Sequence, residues 1–117
     1  MATTEEPTGN QPVSQIAKLD RVIHEPARLM IMALLFVVES ADFLFLQRQT
    51  GLTLGNLSSH LSKLEAAEYV EIEKKFKGKR PHTMLRLTKS GRTAFQSYRQ
   101  NMEQMLGELP SEAQEEV

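Results

Sequence analysis

The 117-residue chain contains no cysteine and no tryptophan, and only 6% of its residues are aromatic. The absence of cysteine excludes disulfides, thiolate zinc sites and cysteine catalysis, and it leaves the redox compartment open. The longest apolar run, residues 29–38, has half of the roughly 20 residues that a membrane-spanning helix needs, so it predicts a buried helix. A formal net charge of −1 provides no overall positive charge to attract nucleic acid.

The composition that is present, 40% apolar and 25% charged residues, is typical of a single globular domain. The polar residues 1–13 contain proline and glycine, and they predict a disordered N-terminal tail. Residues 110–117 begin with a proline and are otherwise mostly acidic or polar, and they predict a frayed C-terminus. The domain itself is therefore expected over residues 14–109.

Hydrophobic periodicity predicts a mainly α-helical (α+β) domain with a small antiparallel β-hairpin. The final helix is expected to begin after Thr88 and to reach Leu109, and a first helix is expected to begin after Ser14. The predicted elements are helices over 15–24, 27–38, 53–68 and 89–109, a short helix or a two-residue strand plus helix over 42–50, and strands over 70–76 and 83–87, with a turn or loop over 77–81.

Gly51 separates two of these helices, and glycine tolerates the left-handed conformation that a tight helix–helix turn needs. The second helix has a leucine stripe for the core, and small polar residues occupy the opposite face. Small side chains allow a helix to approach base edges in a major groove, whereas an ordinary solvated face carries longer charged chains. The candidate groove-facing residues are Gly55, Asn56, Ser59, Ser62 and Lys63, with Thr53 at the tip and Ser58 and His60 at the flanks.

The hairpin that follows is strongly basic. Residues 74–80 contain five cations and no acid, with one aromatic residue, Phe76, among them. Such a tip suits contact with a phosphate backbone or a minor groove, although by itself it is also typical of a flexible, solubilising loop. Val70, Ile72 and Phe76 are candidates for the inward face. The basic residues are Lys74, Lys75, Lys77, Lys79 and Arg80.

The near-neutral total charge conceals a strong asymmetry. Residues 53–92 carry nine basic and four acidic side chains, residues 1–52 carry four and six, and residues 93–117 carry one and five. Because the local field steers a polyanion, this distribution is compatible with nucleic-acid binding.

Three blocks in order resemble winged-helix transcriptional regulators of the MarR/ArsR type: residues 23–35 (IHEPARLMIMALL), 50–70 (TGLTLGNLSSHLSKLEAAEYV) and 78–92 (GKRPHTMLRLTKSGR). The resemblance implies a winged helix-turn-helix and a homodimer that binds double-stranded DNA. One departure is Glu68, which stands where the family commonly has glycine, so a positive φ there would be strained. The family's base-reading positions correspond to Thr53, Gly55, Asn56, Ser59 and Lys63, and its wing contacts to Lys79 and Arg80.

Dimerisation is expected through the terminal helices, whose apolar residues exceed the needs of one small core. The alternative is that these residues fold back on their own domain. The expected interface residues are Ile16, Leu19, Ile23, Tyr98, Met102, Met105 and Leu109.

No cofactor, metal or catalytic site is expected. The three histidines, His24, His60 and His82, lack ligand spacing, and no nucleophile elbow or phosphate-cradling loop is present. An effector pocket lined by Met30, Met32, Met102 and Met105 is conceivable, but such methionines are more often core. A protein-binding or RNA-binding winged helix is the alternative function. DNA binding without a signal-like segment predicts the cytoplasm of a prokaryote.

Overall fold

Four helices and three strands follow one another along residues 18–110, the part of the chain that the computed structural model describes. Their order is that of a helix-turn-helix followed by a hairpin wing, and the predicted mainly α-helical winged fold is confirmed. The elements are α1 (Pro26–Val37), β1 (Ala41–Asp42), α2 (Phe43–Thr50), α3 (Leu54–Ala66), β2 (Val70–Lys77), β3 (Arg80–Leu87) and α4 (Lys89–Gly107).

Each helix begins at a side chain that accepts a hydrogen bond from a free backbone N–H of the first turn. Thr53 and Thr88, both predicted as caps, accept from Asn56 N at 3.1 Å and from Gly91 N at 2.9 Å. The strand-plus-helix alternative for residues 42–50 is confirmed, because Asp42 ends β1 and caps α2. At α1, Pro26 fills the first turn behind the Glu25 cap.

The core is built around α1, as its continuous apolar run predicted. Ile31, Met32 and Leu35 have no exposed surface, so Met32 is a core residue and not a ligand-lining one. The leucine stripe of α3 packs against them, and the hairpin closes the other side. The remaining fully or nearly fully buried residues of this cluster include Leu46, Leu57, Leu61, Leu64, Val70 and Leu85.

The prediction of a helix over residues 15–24 is wrong over its described part, because residues 18–25 form turns. The Asp20 carboxylate accepts from the backbone N–H groups of Val22 at 2.9 Å and Ile23 at 3.3 Å. An aspartate that satisfies nearby backbone donors in this way competes with helix formation. Ser14 and Ile16 lie outside the described residues.

Asp20 also ties this turn to the beginning of the wing, 49 residues away in sequence. Its second carboxylate oxygen accepts from the Tyr69 hydroxyl at 2.5 Å. This hydrogen bond, together with partial burial and the negative charge of Asp20, raises the pKa of Tyr69 to about 12. The folded state therefore favours the neutral phenol.

We expect Tyr69→Phe to lower the free energy of unfolding at pH 7 by about 2 kcal/mol, because one hydrogen bond to a charged acceptor is lost. A tyrosine in the unfolded chain ionises near pH 10, so the wild-type advantage is fully present below about pH 10. It is lost as the pH rises through about 12. Urea denaturation of both proteins between pH 7 and 11.5 measures this, and a gap that stays constant over that range would contradict the assignment.

The hairpin is longer than predicted and its turn is tighter. Lys77 pairs with Arg80, so the expected 77–81 loop is reduced to the two residues Gly78 and Lys79. Gly78 has a φ of 65°, which glycine adopts without strain. Pro81 lies within β3. It is tolerated there because β1 pairs with β3 only at Leu85 and Met84, so the outer edge of β3 is unpaired at Pro81 and needs no backbone N–H.

The end of the wing is pressed against the beginning of α4. Thr88 donates its backbone N–H to the Tyr69 carbonyl at 3.0 Å and its hydroxyl to the Glu68 carbonyl at 2.6 Å. Glu68 adopts a φ of 66°, so the strained conformation anticipated for this residue is present, and it ends α3 two residues earlier than predicted. A Cβ on Gly91 would lie 2.8 Å from the Tyr69 carbonyl carbon and closer still to its oxygen.

Candidate nucleic-acid interface

The turn between α2 and α3 holds the two helices in the helix-turn-helix arrangement. Gly51 has a φ of 72° and caps the C-terminus of α2, as predicted. The Gln47 side chain donates to the Leu52 carbonyl at 3.0 Å and braces the chain after the turn. Thr50 adds a hydroxyl bond to the Leu46 carbonyl at 2.8 Å.

The predicted small, polar face of α3 is exposed along its whole length. Gly55 is open, since nothing lies within 4 Å of where its Cβ would be. Thr53 accepts a hydrogen bond as the cap, and its hydroxyl proton is still free to be donated. The other exposed members of this face and its flank are Asn56, Ser58, Ser59, Ser62 and Lys63.

His60 lies at the flank of the exposed face and is partly buried, and its assignment to a DNA-binding surface stays a prediction. Its side chain is only 19% exposed, and its Nδ1 lies 3.8 Å from a Glu25 carboxylate oxygen. Arg28 Nη1 lies 3.1 Å from the same nitrogen, and because a guanidinium only donates, Nδ1 is the acceptor in this contact. The ring thus connects α3 to the start of α1.

Glu25 and Arg28 complete this connection, and sequence reasoning missed both. The Arg28 backbone N–H donates to a Glu25 carboxylate oxygen at 2.8 Å. This hydrogen bond holds the pKa of the Glu25 carboxyl below its usual range, because its effect exceeds that of burial, which raises the pKa. Arg28 Nε donates to the Val22 carbonyl at 2.6 Å. More than 30 residues separate Arg28 from His60, so no local pattern signals their contact.

The wing carries its charge asymmetrically. Near the core, Arg86 forms ion pairs with Glu71 at 3.1 Å and Glu73 at 3.0 Å, which partly offset the negative charge of the stem. Lys75 lies 3.8 Å from Glu73. All five cations of the tip, Lys74, Lys75, Lys77, Lys79 and Arg80, are exposed.

The alternation of the strand predicted that Phe76 faces inward, and this prediction is wrong. It is 74% exposed, whereas Val70 on the same face is 2% exposed. The hairpin extends beyond the core after Ile72, so the inward face has nothing left to pack against.

The other end of α3 is also flanked by cations. Arg21, Arg28 and Lys63 line a cavity of about 430 Å³ together with Val22 and two alanines. Sequence reasoning did not assign Arg21 or Arg28 to this surface, because they come from the turn and helix before α2. The exposed face of α3 is therefore bordered by positive charge on two sides.

Most of the residues predicted to form the dimer interface are buried within their own chain. Leu19, Ile23 and Tyr98 are core residues with at most 5% exposure, and this burial corrects their assignment to a partner surface. Burial raises the pKa of Tyr98, whose hydroxyl lies 2.7 Å from His24 Nδ1. Met105 is also buried, at 8% exposure.

The end of α4 does expose apolar surface. Leu106 is 54% exposed and Leu109, which lies beyond the helix end, is 47% exposed. Met102 is half-buried against the core. These residues form the exposed apolar surface at this end of the described chain.

Neither a membrane span nor a metal cluster is found in the described range. No helix within residues 18–110 is long and apolar enough to cross a membrane. Over the same residues, no three side chains of histidine, aspartate or glutamate are grouped so that they could hold a metal ion.

Residues 27–106 match the winged helix DNA-binding domain, and the chain belongs to this family. The assignment confirms the resemblance to small single-domain winged-helix regulators, a DNA-binding and non-enzymatic class. An uncharacterized protein of Methanocaldococcus jannaschii is 37% identical over 78 residues, which cover 67% of this chain and 85% of that protein.

Solved structures agree with this assignment. A transcriptional regulator homologue from Pyrococcus horikoshii OT3 superimposes with a TM-score of 0.75 at 28% identity, over 82% of this chain and 94% of that one. Reduced AbfR bound to DNA has a TM-score of 0.63 over 86% of this chain and 65% of that one, and at 19% identity this likeness concerns the fold.

Proposed function

We propose that this protein is a sequence-specific regulator that binds double-stranded DNA as a homodimer, with α3 in the major groove and the wing on the backbone or in the minor groove. The observation that carries this proposal is the exposed small, polar face of α3, bordered by the cationic wing tip and by Arg21, Arg28 and Lys63. Small side chains permit close approach to base edges, and the flanking cations meet phosphates. The DNA-bound state of a structural neighbour supports the same use of the fold.

The homodimer is proposed through the exposed end of α4. Leu106, Leu109 and the half-buried Met102 provide apolar surface there, and a two-fold symmetric pair of chains would cover it. Such a dimer would present two copies of α3 to half-sites about one DNA turn apart.

Selection of bound duplexes from a random DNA pool tests both parts of the proposal. A two-fold symmetric consensus is expected, with affinity that falls steeply as salt increases. An asymmetric consensus together with a gel-filtration mass of one chain would overturn the dimer. Equal enrichment of all sequences would overturn sequence-specific binding, and preference for RNA would favour the alternative function.

Asn56→Ala is expected to reduce discrimination between the selected site and a mismatched site by about 1–3 kcal/mol, because a side-chain amide reads base edges. The Asn56 backbone N–H, not its side chain, makes the capping bond, so stability is expected to be unchanged. Fluorescence anisotropy with the two duplexes measures the effect, and Gln96→Ala on the exposed side of α4 is the matched control. An unaltered site preference would show that the reading face is assigned wrongly.

A further inference from the structure

The wing tip presents two apolar side chains among its cations. The strand register places Phe76 directly opposite Pro81, and directly opposed residues share one face of the hairpin. Phe76 is 74% exposed, and Pro81 is exposed as well. Single exposed apolar side chains are ordinary, but two that adjoin on one face of a hairpin tip form a small apolar patch with a polar rim, the kind of surface that indicates a binding site.

The direction of this face follows from the next pair toward the core. Lys74 and Thr83 are opposed on the same face, since side chains alternate with a period of two. They line a cavity of about 340 Å³ between the wing and α3, together with Ser58 and Ser62. By the same alternation, the Phe76–Pro81 pair lies roughly 7 Å further out along this face of the hairpin. Phe76 also lines a cavity of about 260 Å³ with Asp42, His82 and Met84.

The surroundings of the pair indicate the partner. Lys74 shares the face of the pair, whereas Lys75, Lys77 and Arg80 lie next to it in the strands on the opposite face, and Lys79 lies in the turn. Residues 74–80 include no acid, and Asp42 of β1 borders the cavities that Phe76 and Pro81 line. An apolar centre with a cationic rim complements a DNA minor groove, where sugar and base edges lie between two rows of phosphates. Phenylalanine and proline are among the side chains that enter such grooves as wedges and unstack base steps.

We propose that Phe76, supported by Pro81, is an apolar wedge that the wing inserts into the minor groove, partially unstacking one base step. The proposal rests on the proposed function, because it requires that α3 and the wing bind the same duplex. It assigns the wing two separable contributions: the cations bind phosphates, and the aromatic ring deforms the DNA.

The test uses the selected duplex with 2-aminopurine placed at successive positions of each flank, whose fluorescence rises when a base unstacks. Phe76→Ala is expected to lower affinity about tenfold and to abolish the fluorescence rise. The slope of log affinity against log salt is expected to be unchanged, since no phosphate contact is removed. Phe76→Leu should retain part of both signals, because leucine is also a wedge residue.

Two controls separate the wedge from its surroundings. Val37→Ala removes another strongly exposed apolar side chain, at the end of α1, and is expected to bind like wild type. Lys77→Ala is expected to reduce the salt slope by roughly 1 while the fluorescence rise persists.

Wild-type affinity and fluorescence in Phe76→Ala would overturn the wedge and leave the proposed function intact. The wedge would also be overturned if Phe76→Ala lost self-association but still unstacked the DNA, because Phe76 would then contact a second copy of the chain. Tighter, Phe76-dependent binding of single-stranded RNA than of any duplex would also overturn it. Failure of the wild-type protein to bind any duplex would overturn the proposed function, and the wedge with it.

Discussion

Gly91→Ala is expected to lower the free energy of unfolding by about 3 kcal/mol, the upper end of the usual cost of overpacking. An alanine Cβ at this position meets the carbonyl group of Tyr69 at distances that real Cβ atoms do not show. The obstacle is backbone, and it is held in place because Thr88 bonds both the Tyr69 and the Glu68 carbonyls. Relief requires α4 to move away from the wing, which would open the core at Phe95 and Tyr98.

Urea denaturation at constant pH measures this loss. Gly55→Ala is the matched control, because it makes the same change in a helix where nothing lies within 4 Å of the new Cβ. The control is expected to leave stability unchanged or to raise it by up to about 1 kcal/mol, since alanine is the better helix former. A Gly91→Ala protein as stable as wild type would show that α4 and the wing are less closely packed than described.

The double substitution of Lys79→Ala with Arg80→Ala is expected to weaken binding to all duplexes alike, by on the order of tenfold to a hundredfold at 0.1 M salt. Both side chains are exposed at the wing tip, and β3 begins at Arg80. Removal of two phosphate contacts should reduce the salt slope by nearly 2, because each contact releases close to one counterion.

Binding isotherms between 50 and 300 mM salt, on the selected duplex and on a scrambled one, measure this effect. Arg99→Ala is the control, since it removes an exposed arginine from α4 and is expected to change neither affinity nor slope. If the double variant kept the wild-type slope, the wing tip would not contact phosphates. A loss confined to the selected duplex would instead make these residues readers of sequence.

The elements of this fold could be predicted because their signals are local. Gly51, the leucine stripe of α3 and the caps Thr53 and Thr88 each act within one or two helical turns, and all four are observed as predicted. The small, polar face of α3 followed from the same stripe, because fixing one side of a helix inward leaves the opposite side exposed.

The strand register and the ends of the elements were harder to predict from the sequence. The length of the hairpin depends on pairing between strands, and a loop over 77–81 is as plausible from composition as the observed two-residue turn. The helix expected over residues 15–24 is absent from its described part, residues 18–24, because the Asp20 side chain accepts hydrogen bonds from the turn's own backbone and from Tyr69, which precedes the first strand of the wing.

By itself the sequence therefore determined the winged-helix class, the small, polar face of α3 and the basic hairpin, since periodicity, capping and charge distribution are properties of short segments. Only the tertiary structure decided which apolar residues are covered. It buries Leu19, Ile23 and Tyr98 in their own core, turns His60 toward Arg28 and leaves Phe76 in solvent. Coverage depends on residues that are distant in the chain, and no spacing within the sequence encodes where they meet.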